Sequence, residues 1–396
     1  MRILIISHEY PPVGGGGANA CMNLAMQYAK QGHEADIITV WYDNLKEYEV
    51  IENSLTIRRV KSKRSSLDHC SFGEMFDYIR KALPLAKKLV KENHYDICQI
   101  FFGIPSGPIG YYLKKKYKLP YVIRFGGGDI PGFQSRFKVV YKLISPINKI
   151  IWNNADALVA NSKGLKELAE GFHNKKEIKI ITNGANIACS LNDKNEAHPE
   201  KMKDISIINL LFVARLIERK GLQDIIPQLV TVYEKCKSNN QALKVHVVGD
   251  GPYRLNLEEM VQKYRLEDVV IFHGQKDKQE LSKYYQMADI FIFPSRKEGM
   301  PNVVLEAMSY GLPILMTPCQ GSEELIDGNG YVTSADDFAD KLIEMLSDES
   351  KLKEQGRQSQ QLIHDVFSWE RTSEKYIRLF SKIVRESREL KEHAVQ

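Results

Sequence analysis

Two glutamates, Glu298 and Glu306, stand eight positions apart in SRKEGMPNVVLEAMSYGLP, residues 295–313. Carboxylates accept hydrogen bonds from hydroxyls, and the apolar run between these two has the period of a short helix. Pro301 suits a first helical position, where its missing N–H costs nothing. A helix from Pro301 to about Ser309 puts Asn302 and Glu306 on one face and lets Val303, Val304, Ala307 and Met308 face the core. Its first amides would draw an anion, while the flanking carboxylates would repel a bare one. Together they suit a ligand carrying both phosphate and diols. Cations come from VARLIERKG (213–221): Arg215 can fork onto two phosphate oxygens and Lys220 acts as a point charge. In YPPVGGGGANA (10–20), Gly14 to Gly17 let backbone N–H groups approach an anion at a helix N-terminus. Each stretch alone also reads as an exposed helix, a solvated loop or a flexible turn. A nicotinamide fingerprint is not met, because the glycines are consecutive and position 19 is Asn.

The elements that must hold these residues are short buried strands alternating with helical segments. RILIIS (2–7), ADIITV (35–40), YDICQIFF (95–102), PYVIRF (120–125), ADALVANS (155–162) and IKIITNG (178–184) read as strands, and residues 18–31 as a helix stopping at Gly32. The polar stretch 189–204 reads as a linker. Strands then resume in IINLLFVAR (207–215), LKVHVVGDG (243–251), VVIFHG (269–274), ADIFIFPS (288–295) and PILMTP (313–318). This is an α/β chain of two doubly wound, Rossmann-like halves. Arg215 and Glu298 each follow a strand, where open parallel sheets bind ligands. Residues 368–390 read as an amphipathic helix with Ser368 as N-cap.

The 396 residues suit two domains and carry a soluble balance of 43% hydrophobic and 27% charged residues. Six scattered cysteines without a C-x-x-C pair point to reduced thiols and a cytoplasmic setting. No signal peptide is legible at the N-terminus and no apolar run reaches membrane-spanning length. Residues 1–185 hold 27 Lys+Arg against 17 Asp+Glu, and the remainder 28 against 33. A basic first half fits an anionic membrane surface or a phosphorylated acceptor, or is simply a solvated surface. Nucleic acid is disfavoured, since no recognition pattern accompanies the charge.

Taken together, the stretches resemble one family over nearly the whole chain. EGMPNVVLE resembles the E-x7-E motif of retaining glycosyltransferases of the GT-B fold, family 4. The glycine loop with its following helix and Gly32-His33 turn, ITNGAN (181–186), FVARLIERKG and VVGDGP (247–252) are similar to its other motifs, in the same order. The resemblance implies two Rossmann-like domains facing across a cleft: an acceptor domain at 1–185, a linker at 186–205, a nucleotide-sugar domain at 206–367, and a terminal helix at 368–396 packing back on the first domain. It implies transfer of a sugar from a nucleoside diphosphate sugar to an acceptor hydroxyl, with no other cofactor. No D-x-D occurs to hold a metal. The acceptor expected from family habit is a lipid-linked sugar in cell-surface polysaccharide or glycolipid assembly, at the inner face of the cell membrane. Catalytic roles fall on Arg215, Lys220 and Glu298. Donor binding falls on Glu306, Gly299, Met300, Asn302, Val303, Gly249, Gly15 and Gly16, and on Phe272 and His273 at the base. Many members carry a His about three residues before an Asp after the strand equivalent to YVIRF. That place is Gly126 here, which leaves the donor sugar open and makes Arg124, Gly126 and Asp129 the acceptor-side candidates. Gly126 to Gly128 would offer backbone amides or room for a bulky donor. The departure also keeps open a non-catalytic nucleotide-sugar-binding subunit.

Overall fold

The computed structural model describes residues 1–51, 54–67, 69–133, 138–188 and 207–393. It divides into two compact units, Met1–Asn183 with Trp369–Gln396, and Gly184–Ser368. Most of the expected linker, 186–205, lies outside the described residues. The second unit nevertheless starts at Gly184, because its two ends run side by side: Ala185 N–H donates to Phe367 O at 2.7 Å.

Among the described residues the first unit holds eight strands: β1 (Arg2–Ser7), β2 (Glu34–Val40), β3 (Tyr48–Ile51), β4 (Leu55–Val60), β5 (Ile97–Phe101), β6 (Tyr121–Arg124), β7 (Ala157–Ala160) and β8 (Ile178–Ile180). Their order is β3-β4-β2-β1-β5-β6-β7-β8. All pairs are parallel except β3–β4, an antiparallel edge hairpin that the sequence reading passed over. Strand β3 has only four residues and exposes Tyr48 and Val50, so it lacks the buried run that betrays the others. Central β1 is buried on both faces. Leu4 and Ile6 join a core beneath the helices Phe72–Glu92 and Gly107–Tyr117, while Ile3 and Ile5 face the helix Gly16–Lys30. The last helix, Trp369–His393, lies on that second face. Tyr376, Phe380, Ile383 and Val384 recur at helical spacing and pack there, Phe380 edge-on to Tyr28 at 5.9 Å.

The second unit holds β9 (Ile207–Val213), β10 (Ala242–Val248), β11 (Val270–Gly274), β12 (Ile290–Phe293), β13 (Ile314–Met316) and β14 (Gly330–Val332), ordered β11-β10-β9-β12-β13-β14 and all parallel. Leu210 and Phe212 of β9 serve one core, Leu211 and Val213 the other. Both sheets reverse their winding beside their first strand, between β1 and β5 and between β9 and β12. Such reversals open a crevice beyond the carboxyl ends of the strands.

Candidate active site

In the second unit the crevice is built by glycines that let loops touch. Gly221 has φ +73, and a Cβ there would stand 1.9 Å from Pro294 O at the end of β12. The one-turn helix Glu218–Lys220 can therefore press against that strand end. Gly249, at φ +133, lies equally close to Ala214 O, so the loop after β10 is stitched to the one after β9. Leu216 N–H donates to Asp250 O at 2.9 Å and Tyr253 N–H to Leu216 O at 3.0 Å. Arg215 stands exposed at this seam.

These contacts bring together residues 78 apart in the chain. Lys220 Nζ lies 2.6 Å from Glu298 Oε1, with both side chains only 14% exposed. Ser295 Oγ donates to the same oxygen at 3.1 Å, and Arg219 Nη1 approaches it to 3.6 Å. Neighbouring Arg296 is turned away, forking onto Asp224 at 2.5 and 2.7 Å. A third loop, after β13, supports the site from below: Gln320 N–H donates to Glu298 O at 3.1 Å, and Gly321 abuts Gly299 and Met300. Cys319 sits in that loop. Burial, with the Glu298 charge adding, pushes its thiol up to about 11. Ser295 opens the glutamate-bearing stretch but reads there only as a strand end, and the Cys319–Gly321 loop carries no motif signal; the paired strand ends reveal what both do.

The helix Asn302–Ser309 begins one residue later than expected. Pro301 has the extended ψ of a cap at 115°, so it precedes the helix rather than opening it. Val304, Leu305, Ala307 and Met308 are buried. Asn302, Val303 and Glu306 are half-buried, so Val303 sides with the polar face and Leu305 takes the core place expected for it. Gly299 and Met300 are buried just ahead of the helix. Tyr285 Oη donates to Glu306 Oε2 at 3.1 Å. Burial holds the Glu306 carboxyl above its usual range, against that hydrogen bond and the charge of Lys278.

At β11, Phe272 and His273 are half-buried, and Arg254 stands over the Phe272 ring at 5.9 Å. His273 Nε2 lies 2.9 Å from His246 Nδ1, with the rings stacked, and His246 Nε2 lies 3.1 Å from Asn209 Oδ1. With Asn209 as acceptor, His246 carries its proton on Nε2 and accepts one from His273. Burial first, then the charges of His273 and Lys244, hold His246 down at about 4. One helix, Lys278–Met287, links both groups: Tyr284 packs on His273 at 4.6 Å and Tyr285 reaches Glu306.

In the first unit, Gly15 and Gly16 are exposed at the N-terminus of the helix Gly16–Lys30. Arg124 is not on the surface. It is 2% exposed, donates to Asn183 Oδ1 and lies over the Phe101 ring at 5.3 Å. Asp129 is also buried, accepting from Gly103 N–H at 2.7 Å and Gly126 N–H at 2.9 Å. The expectation for Gly126 is therefore corrected twice. Its amide is already engaged by Asp129, and the space beside it is filled: a Cβ there would lie 2.2 Å from the Phe102 ring.

Residues 14–188 match the family model described as Glycosyltransferase Family 4, and residues 193–362 the one described as Glycosyl transferases group 1. An uncharacterized glycosyltransferase of Methanocaldococcus jannaschii is 30% identical over 279 residues, 68% of this chain and 69% of its own length. Among solved structures, the fold is similar to sucrose-phosphate synthase from Thermosynechococcus elongatus, with TM-score 0.81 at 20% identity over 98% of this chain and all of that one. It is also similar to the Anabaena protein HepE solved in complex with UDP, with TM-score 0.72 at 18% identity over 96% of this chain and all of that one.

Proposed function

The chain belongs to the family 4, group 1 glycosyltransferases of the GT-B fold, and from that premise we propose that it transfers a sugar from a nucleoside diphosphate sugar to an acceptor hydroxyl with retention of anomeric configuration. The observation that carries this reading is the meeting of Lys220, Glu298 and Ser295 at the β9/β12 crevice, with Arg215 at its edge. Lys220 and Arg215 take up the charge that grows on the departing diphosphate. Fixed cations cost no reorganisation at that moment and serve without a metal ion. Glu298 faces the reacting sugar, oriented by Lys220 and Ser295. Asn302 and the helix behind it meet the phosphates, assisted by the backbone at Gly299 and Met300. Glu306 accepts the ribose hydroxyls. Phe272 and the backbone at His273 hold the base. Same-face attack guided by the departing phosphate accounts for retention without a carboxylate nucleophile.

The acceptor is lipid-linked and the protein works at an anionic membrane surface. Support comes from the helix Lys138–Asn154, which exposes Leu143, Ile147 and Ile150 on one stripe at 74%, 55% and 49% and carries three lysines and no acid. Such a face suits the boundary between headgroups and acyl chains. No helix among the described residues is long and apolar enough to cross a membrane.

The test is a panel of nucleotide sugars with a lipid-linked acceptor, run with and without EDTA, the product's anomeric configuration being read by NMR. Retained configuration and EDTA-resistant turnover are expected. Inversion overturns the retaining reading, and loss on chelation restored by Mg2+ overturns the metal-free one.

A further inference from the structure

The Phe102 ring occupies a place that three segments were shaped to leave for it. It follows β5 at the β1/β5 reversal, level with His8 beyond β1 and with Phe125 beyond β6, since Ser7 pairs with Phe101 and Phe101 with Arg124. A Cβ at Gly17 would stand 2.3 Å from the tip of the ring, and one at Gly126 would stand 2.2 Å from its side. Both positions must be glycine while the ring stays. His8 meets the ring edge-on at 5.0 Å.

The backbone under the ring is unusual as well. Phe102 has φ +70, a left-handed conformation that bulky residues rarely adopt. It is held from both sides. Phe102 N–H donates to Arg124 O at 3.1 Å, and the next amide, Gly103, is tied to the Asp129 carboxylate that also holds Gly126. A core filler needs no such arrangement, and Phe102 is not fully buried: it is half-buried at the edge of the core that Ile3 and Ile5 share. Strained residues held by an over-determined surrounding mark binding sites more often than cores.

We propose that Phe102 is a specificity-determining residue whose ring stacks on the apolar C–H face of a sugar ring in the β1/β5 crevice. The inference rests on the sugar-transfer reading above. Aromatic faces are electron-rich and pair with weakly positive C–H edges, so the ring selects a sugar by which face is free of axial hydroxyls rather than by a hydrogen bond. Gly17 and Gly126 give the ring its place, and Asp129 positions it without touching the sugar.

Phe102→Leu keeps apolar bulk and removes the ring. Phe102→Gly removes both but suits the left-handed backbone. A tyrosine is no control, because its hydroxyl would strike Gly17. Donor hydrolysis without acceptor, full transfer, affinity for the free nucleoside diphosphate and melting temperature are measured for each. Both variants are expected to raise the KM for one sugar substrate about tenfold, to flatten the preference between sugars differing in one axial hydroxyl, and to leave free diphosphate affinity and melting temperature near wild type. A KM effect already present in donor hydrolysis assigns the stacked ring to the donor; one present only in transfer assigns it to the acceptor. Phe102→Leu with wild-type KM values and preference, or losses that follow the melting temperature, overturns the proposal. A wild-type chain that neither binds nor hydrolyses any nucleotide sugar overturns the transfer reading and this inference with it.

Discussion

The two units carry the same kind of crevice and fill it with opposite chemistry. At β9/β12 the residues beyond the strand ends are charged: Arg215, Lys220 and Glu298, with Lys220 and Glu298 in contact. At β1/β5 they are glycines and rings: Gly14 to Gly17, Phe102, Gly126 and a neutral His8, which burial and the Arg64 charge hold near 3. Parallel strands end in a crevice wherever the winding reverses, but the loops decide what it can do. One crevice is built to neutralise charge, the other to offer shape. Charge changes should therefore damage turnover in the second unit, and bulk added against the Phe102 ring should damage packing in the first.

The largest effect is expected from Lys220→Ala. It removes a cation whose Nζ lies 2.6 Å from Glu298 and leaves that half-buried carboxylate short of its main partner. Loss of one preorganised charge donor lowers kcat about 10²–10³-fold. A steady-state assay that finds kcat within threefold would remove Lys220 from the chemistry.

The two glutamates should part company next. Glu306→Gln is expected to weaken donor and free nucleoside diphosphate in step, by about 1.5–3 kcal/mol for a charge-assisted bond. Glu298→Gln is expected to spare diphosphate affinity and lower kcat. Calorimetry beside kinetics separates them; two mutants with the same pattern would refute the division of roles.

In the first crevice, Gly126→Ala drives a methyl into the Phe102 ring at 2.2 Å. A stability loss of about 1–3 kcal/mol is expected from such overpacking, and the double mutant with Phe102→Ala should recover part of it. Denaturant titration of the single and double mutants checks this; strictly additive losses would mean the two residues do not meet.

The remaining effect is one of pH. His246 is 6% exposed and titrates near 4 in the folded protein, against 6.5 unperturbed. The folded state thus binds fewer protons than the unfolded one between those values. Its contribution is fully present above about 6.5 and is lost as pH falls toward 4, by roughly 1–3 kcal/mol. His8 adds a slope of the same sign in the first unit. Unfolding free energies from pH 7 to 4 should fall less steeply for His246→Gln, and an unchanged slope would place the titration elsewhere.

Much of this was legible along the chain. The buried strands announced themselves as β-rich runs, and Lys220 and Glu298 as charges just beyond strand ends. The hairpin β3–β4 and the short β14 were not legible, because neither is a long two-sided apolar run. Arg124 read as an acceptor-side cation, yet the fold closes over it and sets it on Asn183. Charge type is written in the sequence; burial is not. Gly126 read as an opening, and the ring that closes it comes from another strand.

The sequence by itself determined the class of fold and the chemical inventory, because alternation of strand and helix, glycine at tight loops and charge beyond strand ends are local properties. The tertiary structure alone decided which of those residues meet. Lys220 finds Glu298 across 78 positions only because β9 and β12 lie side by side, and Phe102 finds Gly17 and Gly126 only because β5 lies between β1 and β6. Such pairings follow from strand order, which is set by packing both sheet faces against helices, and no window of sequence contains it.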